Sequence, residues 1–291
     1  MNPEQLGGVL ICGLRISAIY ALMAVGFTLV YGVGKIFNYA HGGFYTWGAY
    51  IAWFLSAGFC HLSYPIAFAA TIPILFGLGI LFERVFIRPV RWGGAGMMNI
   101  FIVTLGAALF LDALSLVVFG PIYKRLPPLL GGNLSLAGFV ISRHDLTLVA
   151  IAIAITIGLI LFLGKTREGT AMRAVSQDMT GAQIVGMPID KVFAITFGIS
   201  AVLAGVSGML LAPRTLIFPG VGWPIFMKAF VIVVLGGMGS IKGSFIAAFI
   251  LGMLEAFIAY FIGGVWGLPI FCSVLLILLV VRPQGLFGTA G

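Results

Sequence analysis

Two stretches of this sequence place polar residues and glycines where apolar ones are expected. "KIFNYAHGGFYTWGAY", residues 35–50, carries Asn38, His41, Gly42 and Tyr45 between two strongly apolar runs. "GGMGSIKG", residues 236–243, carries Gly237, Gly239 and Ser240 in a similar setting. Their Asn, His, Tyr and Ser side chains offer hydrogen-bond donors and acceptors, and their glycines let a helix break. Four ionisable residues, Arg15, Asp112, Lys228 and Glu255, stand inside apolar runs. The chemistry on offer is hydrogen bonding and charge pairing. No paired carboxylates, His-x-x-x-His or Ser/His arrangement falls on adjacent helical turns, so no catalytic residue and no metal ligand set is assigned. His61 and His144 have no carboxylate at ligand spacing and read as solvated loop residues.

The elements that must position these groups follow from composition. The chain has 291 residues, 61% hydrophobic and 8% charged, with mean hydropathy +1.18. Soluble domains carry about 25% charged residues, so the natural solvent of this chain is a bilayer. A spanning helix needs about 20 mostly apolar residues, and apolar spans run near 8–31, 43–60, 65–86, 98–119, 146–164, 191–212, 225–237, 244–262 and 266–281. The expected fold is an all-α polytopic membrane protein of 8–10 transmembrane helices, some of them discontinuous, in a single domain over residues 1–291. The runs are continuous, not alternating, which excludes a β-barrel.

Cys12, Cys60 and Cys272 show neither metal spacing nor a disulfide framework. "MNPEQ" lacks the positive region of a signal peptide, so the first apolar run is expected to be retained. The net charge of +8 is scattered, without a basic run, and is no nucleic-acid signal. It reports topology instead. With nine spans, one side holds Lys35, Arg88, Arg91, Lys165, Arg167, Arg173, Lys191, Lys242 and Arg282, and the other holds Lys124, Arg125, Arg143 and Arg214. The positive-inside rule puts the first group in the cytoplasm, the N-terminus outside and the C-terminus cytoplasmic. Ser200, Ala204, Gly208 and Ala212 recur every four residues and form a small-residue face, read as packing within the subunit.

The hydrophilic segment 165–190 lies between the fifth and sixth spans. In "KTREGTAMRAVSQDMTGAQIVGMPIDK", Met172, Val175, Met179 and Ala182 fall on one helical stripe, with Arg173, Gln177 and Asp178 off it. Thr166 can cap the start, and Gly186 followed by Pro188 is a stop signal. An amphipathic surface helix is expected, resting either on lipid headgroups or on a soluble partner. The narrow Met, Val and Ala stripe without Trp, Phe or Leu favours a protein groove.

The sequence resembles the H-type membrane subunit of bacterial branched-chain amino-acid ABC importers, a permease family with close relatives for urea and short amides. The resemblance rests on Asn38, Ala40, His41 and Gly42 of an Asn-aromatic-Ala-His-Gly signature, with Tyr39 where Phe is usual, and on the basic turn "ERVFIRPVR". It rests further on "REGTAMRAVSQD…A…VGM", on "KAFVIVVLGGMGSIKGSFIAAFILG" and on the terminal "RPQGLFG", all in the family order.

What the resemblance implies is a multi-pass permease of the bacterial inner membrane that pairs with a second, related permease subunit. A cytoplasmic P-loop ATPase would dock on each coupling segment, here through Arg167, Gly169, Met172, Arg173, Ala174, Val175, Asp178, Ala182 and Gly186. A periplasmic binding protein would deliver substrate. ATP and magnesium would be used by the ATPases, because this chain has no G-x-x-x-x-G-K-[ST] stretch and binds no cofactor of its own.

Within that frame, Asn38–Gly43 and Gly236–Gly243 read as helix breaks beside the translocation pathway, or as plain cytoplasmic turns. The pathway candidates are Asn38, His41, Gly42, Tyr45, Gly237, Gly239 and Ser240. The four intramembrane charges read as internal ion pairs, serving as structural glue or as a polar lining for a zwitterion. An ion-gradient carrier and a membrane-embedded enzyme are the other classes weighed. The first would be better served by more deep carboxylates than Glu255, and the second lacks a catalytic constellation.

Overall fold

A computed structural model of the chain describes residues 3–94, 96–136, 139–282 and 284–287. The apolar runs become helices α1 (Pro3–Gly34), α2 (His41–Trp53), α3 (Tyr64–Phe82), α5 (Met97–Phe119), α6 (Arg143–Lys165), α9 (Ile189–Leu211), α10 (Gly222–Gly236), α11 (Ile241–Phe261) and α12 (Gly267–Val281). The short helix α4 (Arg88–Trp92) extends α3 through a π-helical turn at Glu83–Ile87. Two further short helices, α7 (Arg167–Gln177) and α8 (Met179–Ile184), make up the hydrophilic segment. Seven helical spans among the described residues are long and apolar enough to cross a membrane. The other two apolar helices are outside these seven: α2 has 13 residues and continues through a π-helical turn at Phe54–Gly58, and α10, with 15, is too short to cross alone. The fold is that of an all-α polytopic membrane protein.

One feature of the loop before α6 departs from the all-α expectation. Strands β1 (Asn133–Leu136) and β2 (Phe139–Ser142) pair antiparallel as a hairpin at the end of the bundle opposite α7 and α8. Four-residue strands fall below the length at which alternation is legible beside such apolar runs.

Helix α9 is the centre of the bundle. Ser200, Ala204, Gly208 and Ala212 are all buried, so the small-residue face packs inside the subunit. The neighbouring row does the same. A Cβ on Gly48 of α2 would collide with the backbone of Gly205, so only glycine lets α2 and α9 approach this closely.

The hydrophilic segment folds as expected at its ends. Thr166 caps α7, its Oγ1 accepting from Gly169 N at 3.0 Å, and Gly186 stops α8 with φ +80°. The single helix of the sequence reading is instead two, because Asp178 turns extended and caps α8 through Gly181 N. An Asp side chain that can satisfy a helix-start N–H competes with continuing the helix. The coupling stripe also points the other way. Met172, Val175 and Ala182 are 1%, 2% and 6% exposed, and they pack against the transmembrane helices. The stripe therefore anchors the segment to its own bundle. Met179, the fourth member of the stripe, is 36% exposed and lies off this buried face, and Arg167, Arg173, Asp178, Ile184, Val185 and Gly186 are exposed as well. Gly169 is buried and Ala174 is partly so.

Candidate functional site

The stretch quoted at the outset breaks a helix inside the bundle. Lys35 adopts φ 54°, a left-handed conformation that ends α1, and its N–H closes the last turn on Tyr31 O at 2.8 Å. Residues 35–40 then run without helical structure back into the bundle. Several of their polar groups find partners. Phe37 O accepts from Thr104 Oγ1 at 2.9 Å, Asn38 O accepts from His41 N at 3.2 Å, and Asn38 Oδ1 accepts from Ala40 N at 3.2 Å. Asn38 Nδ2 is buried without a hydrogen-bond partner among the described residues.

His41 fixes the depth at which α2 begins. Its Nε2 lies 3.0 Å from Met23 O and donates to it, while Nδ1 accepts from Ser200 Oγ at 3.2 Å. Met23 precedes the end of α1 by eleven residues, and Ser200 follows the start of α9 by eleven. At 1.5 Å per residue both stand about 16 Å from the α7–α8 end, near the middle of a core about 30 Å thick. The stretch is thus no surface turn. Non-helical backbone at such depth persists only where protein buries it or water reaches it.

A second short helix starts beside the first. Gly222 N donates to Thr46 Oγ1 at 3.1 Å, and Thr46 Oγ1 donates to Gly42 O at 3.3 Å. A Cβ on Gly222 would overlap the Gly42 carbonyl, so the backbones touch. From this junction α2 runs toward the hairpin end and α10 runs toward the α7–α8 end. Two short helices therefore meet start to start in the bundle interior. Phe27, Phe37, Tyr39, Phe226 and Phe230 collar the junction, with ring centroids such as Tyr39–Phe226 at 5.3 Å and Phe27–Phe226 at 5.5 Å. Tyr45 is buried with its carbonyl against Gly208.

The glycine stretch 236–243 is a different object. Gly237 and Gly239 take φ +95° and +91°, and Ser240 caps α11 by accepting from Gly243 N at 3.1 Å. Gly239 packs near Gly32 and shares a crevice with Met172 and Arg173, which places this break at the α7–α8 end. The terminal segment seals it, with Leu286 N donating to Leu235 O at 2.8 Å and Phe287 N to Gly236 O at 3.3 Å. Of "RPQGLFG", Pro283 and Gly288 lie outside the described residues. The partner of the Asn38–Gly43 break is therefore the start of α10. Sequence reading missed it because Gly220–Gly222 sits beside a loop that already looked like one.

The intramembrane charges pair only in part as expected. Lys228 Nζ donates to Glu255 Oε1 at 2.6 Å, joining α10 to α11. Arg15 finds Asp145 at 3.5 Å, and Asp145 is held more closely by Arg214, through Nη2 at 2.7 Å and Nε at 3.1 Å. Asp112 has no cation among the described residues. It accepts from the indole of Trp223, in the first turn of α10, where the helix dipole favours a carboxylate. His144 is a correction to the sequence reading. It is 1% exposed, with Nε2 donating to Leu210 O at 3.0 Å and Nδ1 accepting from Leu129 N at 3.3 Å. It pins the loop before α6 to α9.

A second charge cluster was not foreseen. In "ERVFIRPVR", Glu83 is fully buried and accepts from Arg88 at 3.1 Å and from Arg91 at 3.5 Å. Arg91 also pairs with Asp190 at the start of α9 and stacks 4.0 Å over the Phe193 ring. Trp92 donates to the same Asp190 at 3.2 Å. Between this turn and α8 lies a cleft of about 580 Å³ lined by Trp92, Met179, Gln183 and Asp190. The basic turn and the central helix are thereby tied together, with the cleft between them and α8.

The profile of the family described as "Branched-chain amino acid transport system / permease component" matches residues 9–281. The chain belongs to that family. It is similar to the high-affinity branched-chain amino acid transport system permease protein BraD of Pseudomonas aeruginosa, with 35% identity covering 96% of this chain and 94% of BraD. It is 32% identical to the permease protein LivH of Escherichia coli, over 95% of this chain and 93% of LivH. It is also 26% identical to the permease protein LivM of the same organism, over 93% of this chain and 68% of LivM. Both the H-type resemblance and the multi-pass membrane fold stand, and each of these relatives is a permease protein, not an enzyme.

Proposed function

We propose that this chain is a transmembrane permease subunit of an ATP-driven importer for branched-chain amino acids. The observation that carries this reading is its end-to-end similarity to BraD and LivH, which bear that substrate class in their names. The chain forms one permease domain in a bacterial inner membrane, with α7 and α8 in the cytoplasm and the β1–β2 hairpin outside. The excess of Lys and Arg at the α7–α8 end supports that orientation.

Its membrane partner is a related permease, a reading supported by the similarity of one sequence to both LivH and LivM. Two P-loop ATPase subunits, using ATP and magnesium, dock one on segment 165–190 of this chain and one on the partner permease, and a periplasmic protein delivers substrate. Because Met172, Val175 and Ala182 hold the segment to its own bundle, the contact surface is Arg173, Asp178, Ile184 and Val185. Motion of that surface reaches α9 through Asp190, Arg91 and Glu83. Ser200 on α9 holds His41, so the mid-membrane break moves with it. The break is a two-state element whose aromatic collar closes the pathway in this conformation.

The test is purification of the chain from its native host in mild detergent, with co-purifying proteins identified by mass spectrometry. Two P-loop ATPases and a second permease are expected. Recovery of the chain alone, transporting without ATP, would replace this reading with an ion-coupled carrier. A recovered binding protein that takes urea or a short amide would move the substrate.

A further inference from the structure

The Lys228–Glu255 pair has a construction that plain structural glue does not need. Glu255 accepts from Lys228 Nζ at 2.6 Å on Oε1 and from the Tyr20 hydroxyl at 2.5 Å on Oε2. The Lys228 ammonium also lies 5.7 Å from the Tyr20 ring centroid and 5.9 Å from that of Phe271, two rings set edge to face at 6.1 Å. A carboxylate with two aromatic rings is a receptor for an ammonium group. Here α1, α11 and α12 build that receptor, and a lysine of α10 occupies it.

Its position gives access. Glu255 and Tyr20 each stand fourteen residues from the α7–α8 ends of their helices, about 21 Å along them and within the hydrocarbon depth. The Lys228 and Glu255 side chains are each 16% exposed there. Acyl chains cannot solvate charge, so an ion pair that reaches the surface at this depth borders a partner or water.

We propose that Glu255, Tyr20 and Phe271 form the ammonium subsite of the translocation pathway, that Lys228 fills it at rest, and that a zwitterionic amino acid displaces Lys228 during transport. The substrate ammonium pairs with Glu255, and the substrate carboxylate pairs with the freed Lys228. One internal ion pair and one zwitterion become two ion pairs, so no charge stands unpaired at low dielectric at any stage. An uncharged amide or urea could open the pair only by leaving both charges unpaired, which makes the subsite selective for zwitterions. This inference rests on the reading of the chain as an amino-acid importer subunit.

The experiment uses the complete transporter in proteoliposomes, with its binding protein and ATP, and reads both labelled leucine taken up and ATP hydrolysed. Lys228→Gln and Glu255→Gln should each lower uptake about a hundredfold or more, since each strands one charge. The double variant K228Q/E255Q removes both charges and relieves that penalty. It should assemble and hydrolyse ATP, yet still move leucine at least about tenfold more slowly than the parent. Near-parental uptake by the double variant would show a structural ion pair only and overturn the proposal. Tyr20→Phe, which leaves the pair intact, should lower leucine moved per ATP hydrolysed severalfold, and an unchanged ratio would also overturn it. If the unaltered complex moves no leucine, the amino-acid reading fails first and the subsite with it.

Discussion

The backbone N–H of Gly222 donates to the hydroxyl of Thr46 at 3.1 Å, and the same hydroxyl donates onward to Gly42 O. One side chain thus joins the first turns of two short helices, with Gly42, Thr46 and Gly222 all buried. The positive ends of α2 and α10 face each other there, an arrangement that costs electrostatic energy. Two features of the structure offset it. The Asp112 carboxylate lies against the first turn of α10, and the Asn38 carboxamide oxygen accepts from Ala40 just before α2.

Gly222→Ala should therefore push α2 and α10 apart, because the added methyl overlaps the Gly42 carbonyl. Overpacking of this kind costs about 1–3 kcal/mol. Thr46→Val keeps the shape but leaves the Gly222 N–H buried and unpaired, at a cost of about 1–3 kcal/mol. Thermal unfolding in detergent should rank both below the parent. An unshifted midpoint for Gly222→Ala would mean that the helices do not meet in solution.

His41 ties the break to both neighbouring helices, through Met23 O and Ser200 Oγ. Ser200→Ala should remove one of these bonds while leaving the ring in place. A net hydrogen bond of about 1–1.5 kcal/mol corresponds to a rate change of about tenfold if it is broken and remade in the transport cycle. Altered uptake at unchanged membrane level is the expected result. His41→Ala should do more, by about 2–4 kcal/mol of stability, since it also empties a fully buried site. Equal uptake by the parent and Ser200→Ala would detach α9 from the switching of the break.

Much of this was legible in the sequence, and the reasons differ by residue. Apolar run length placed the spans within a few residues, because a bilayer demands about 20 apolar residues whatever the packing. Asn38 and His41 announced a break because polar groups in lipid need a reason to be there. Which break joined which was not legible. Gly236–Gly243 is richer in glycine than Gly220–Gly222, yet only the latter reaches the interior, and depth depends on tertiary contacts such as Trp223 with Asp112. The stripe of Met172, Val175 and Ala182 was legible as a stripe, but periodicity names a buried face without naming what buries it. Asp145 lies one residue before the expected span boundary and so outside the four charges read as intramembrane, although it is the carboxylate that Arg15 meets.

Glu83 offers a test of the link between the basic turn and α9. Its carboxylate is fully buried and shared by Arg88 and Arg91. Glu83→Gln should leave two guanidinium groups with less compensation and destabilise the turn by about 2–4 kcal/mol, below the cost of stranding a wholly buried ion because both arginines are partly exposed. Arg91→Lys keeps the charge but loses the guanidinium stack on Phe193 and the Nη2 link between Glu83 and Asp190. It should assemble normally and still lower the uptake obtained per ATP hydrolysed. Parallel loss of ATP hydrolysis and uptake in Arg91→Lys would argue against a transmitting role.

The segment 165–190 separates anchoring from docking, and two variants distinguish them. Met172 is 1% exposed against the helices, so Met172→Ala should cost about 2–5 kcal/mol and loosen the segment from its own bundle. Ile184 is 81% exposed and Val185 72% exposed, so nothing in this chain needs them. Ile184→Asp together with Val185→Asp should leave folding within about 0.5 kcal/mol of the parent, as surface changes do. If the ATPase docks here, the same double variant should lose the co-purifying ATPase while keeping the second permease. Ala182→Glu cannot serve this purpose, since Ala182 is 6% exposed and a buried carboxylate would disrupt the anchor itself. Full ATPase recovery with the double aspartate variant would move the docking surface to the cleft beside Trp92, and Trp92→Ala would then be the change that releases it.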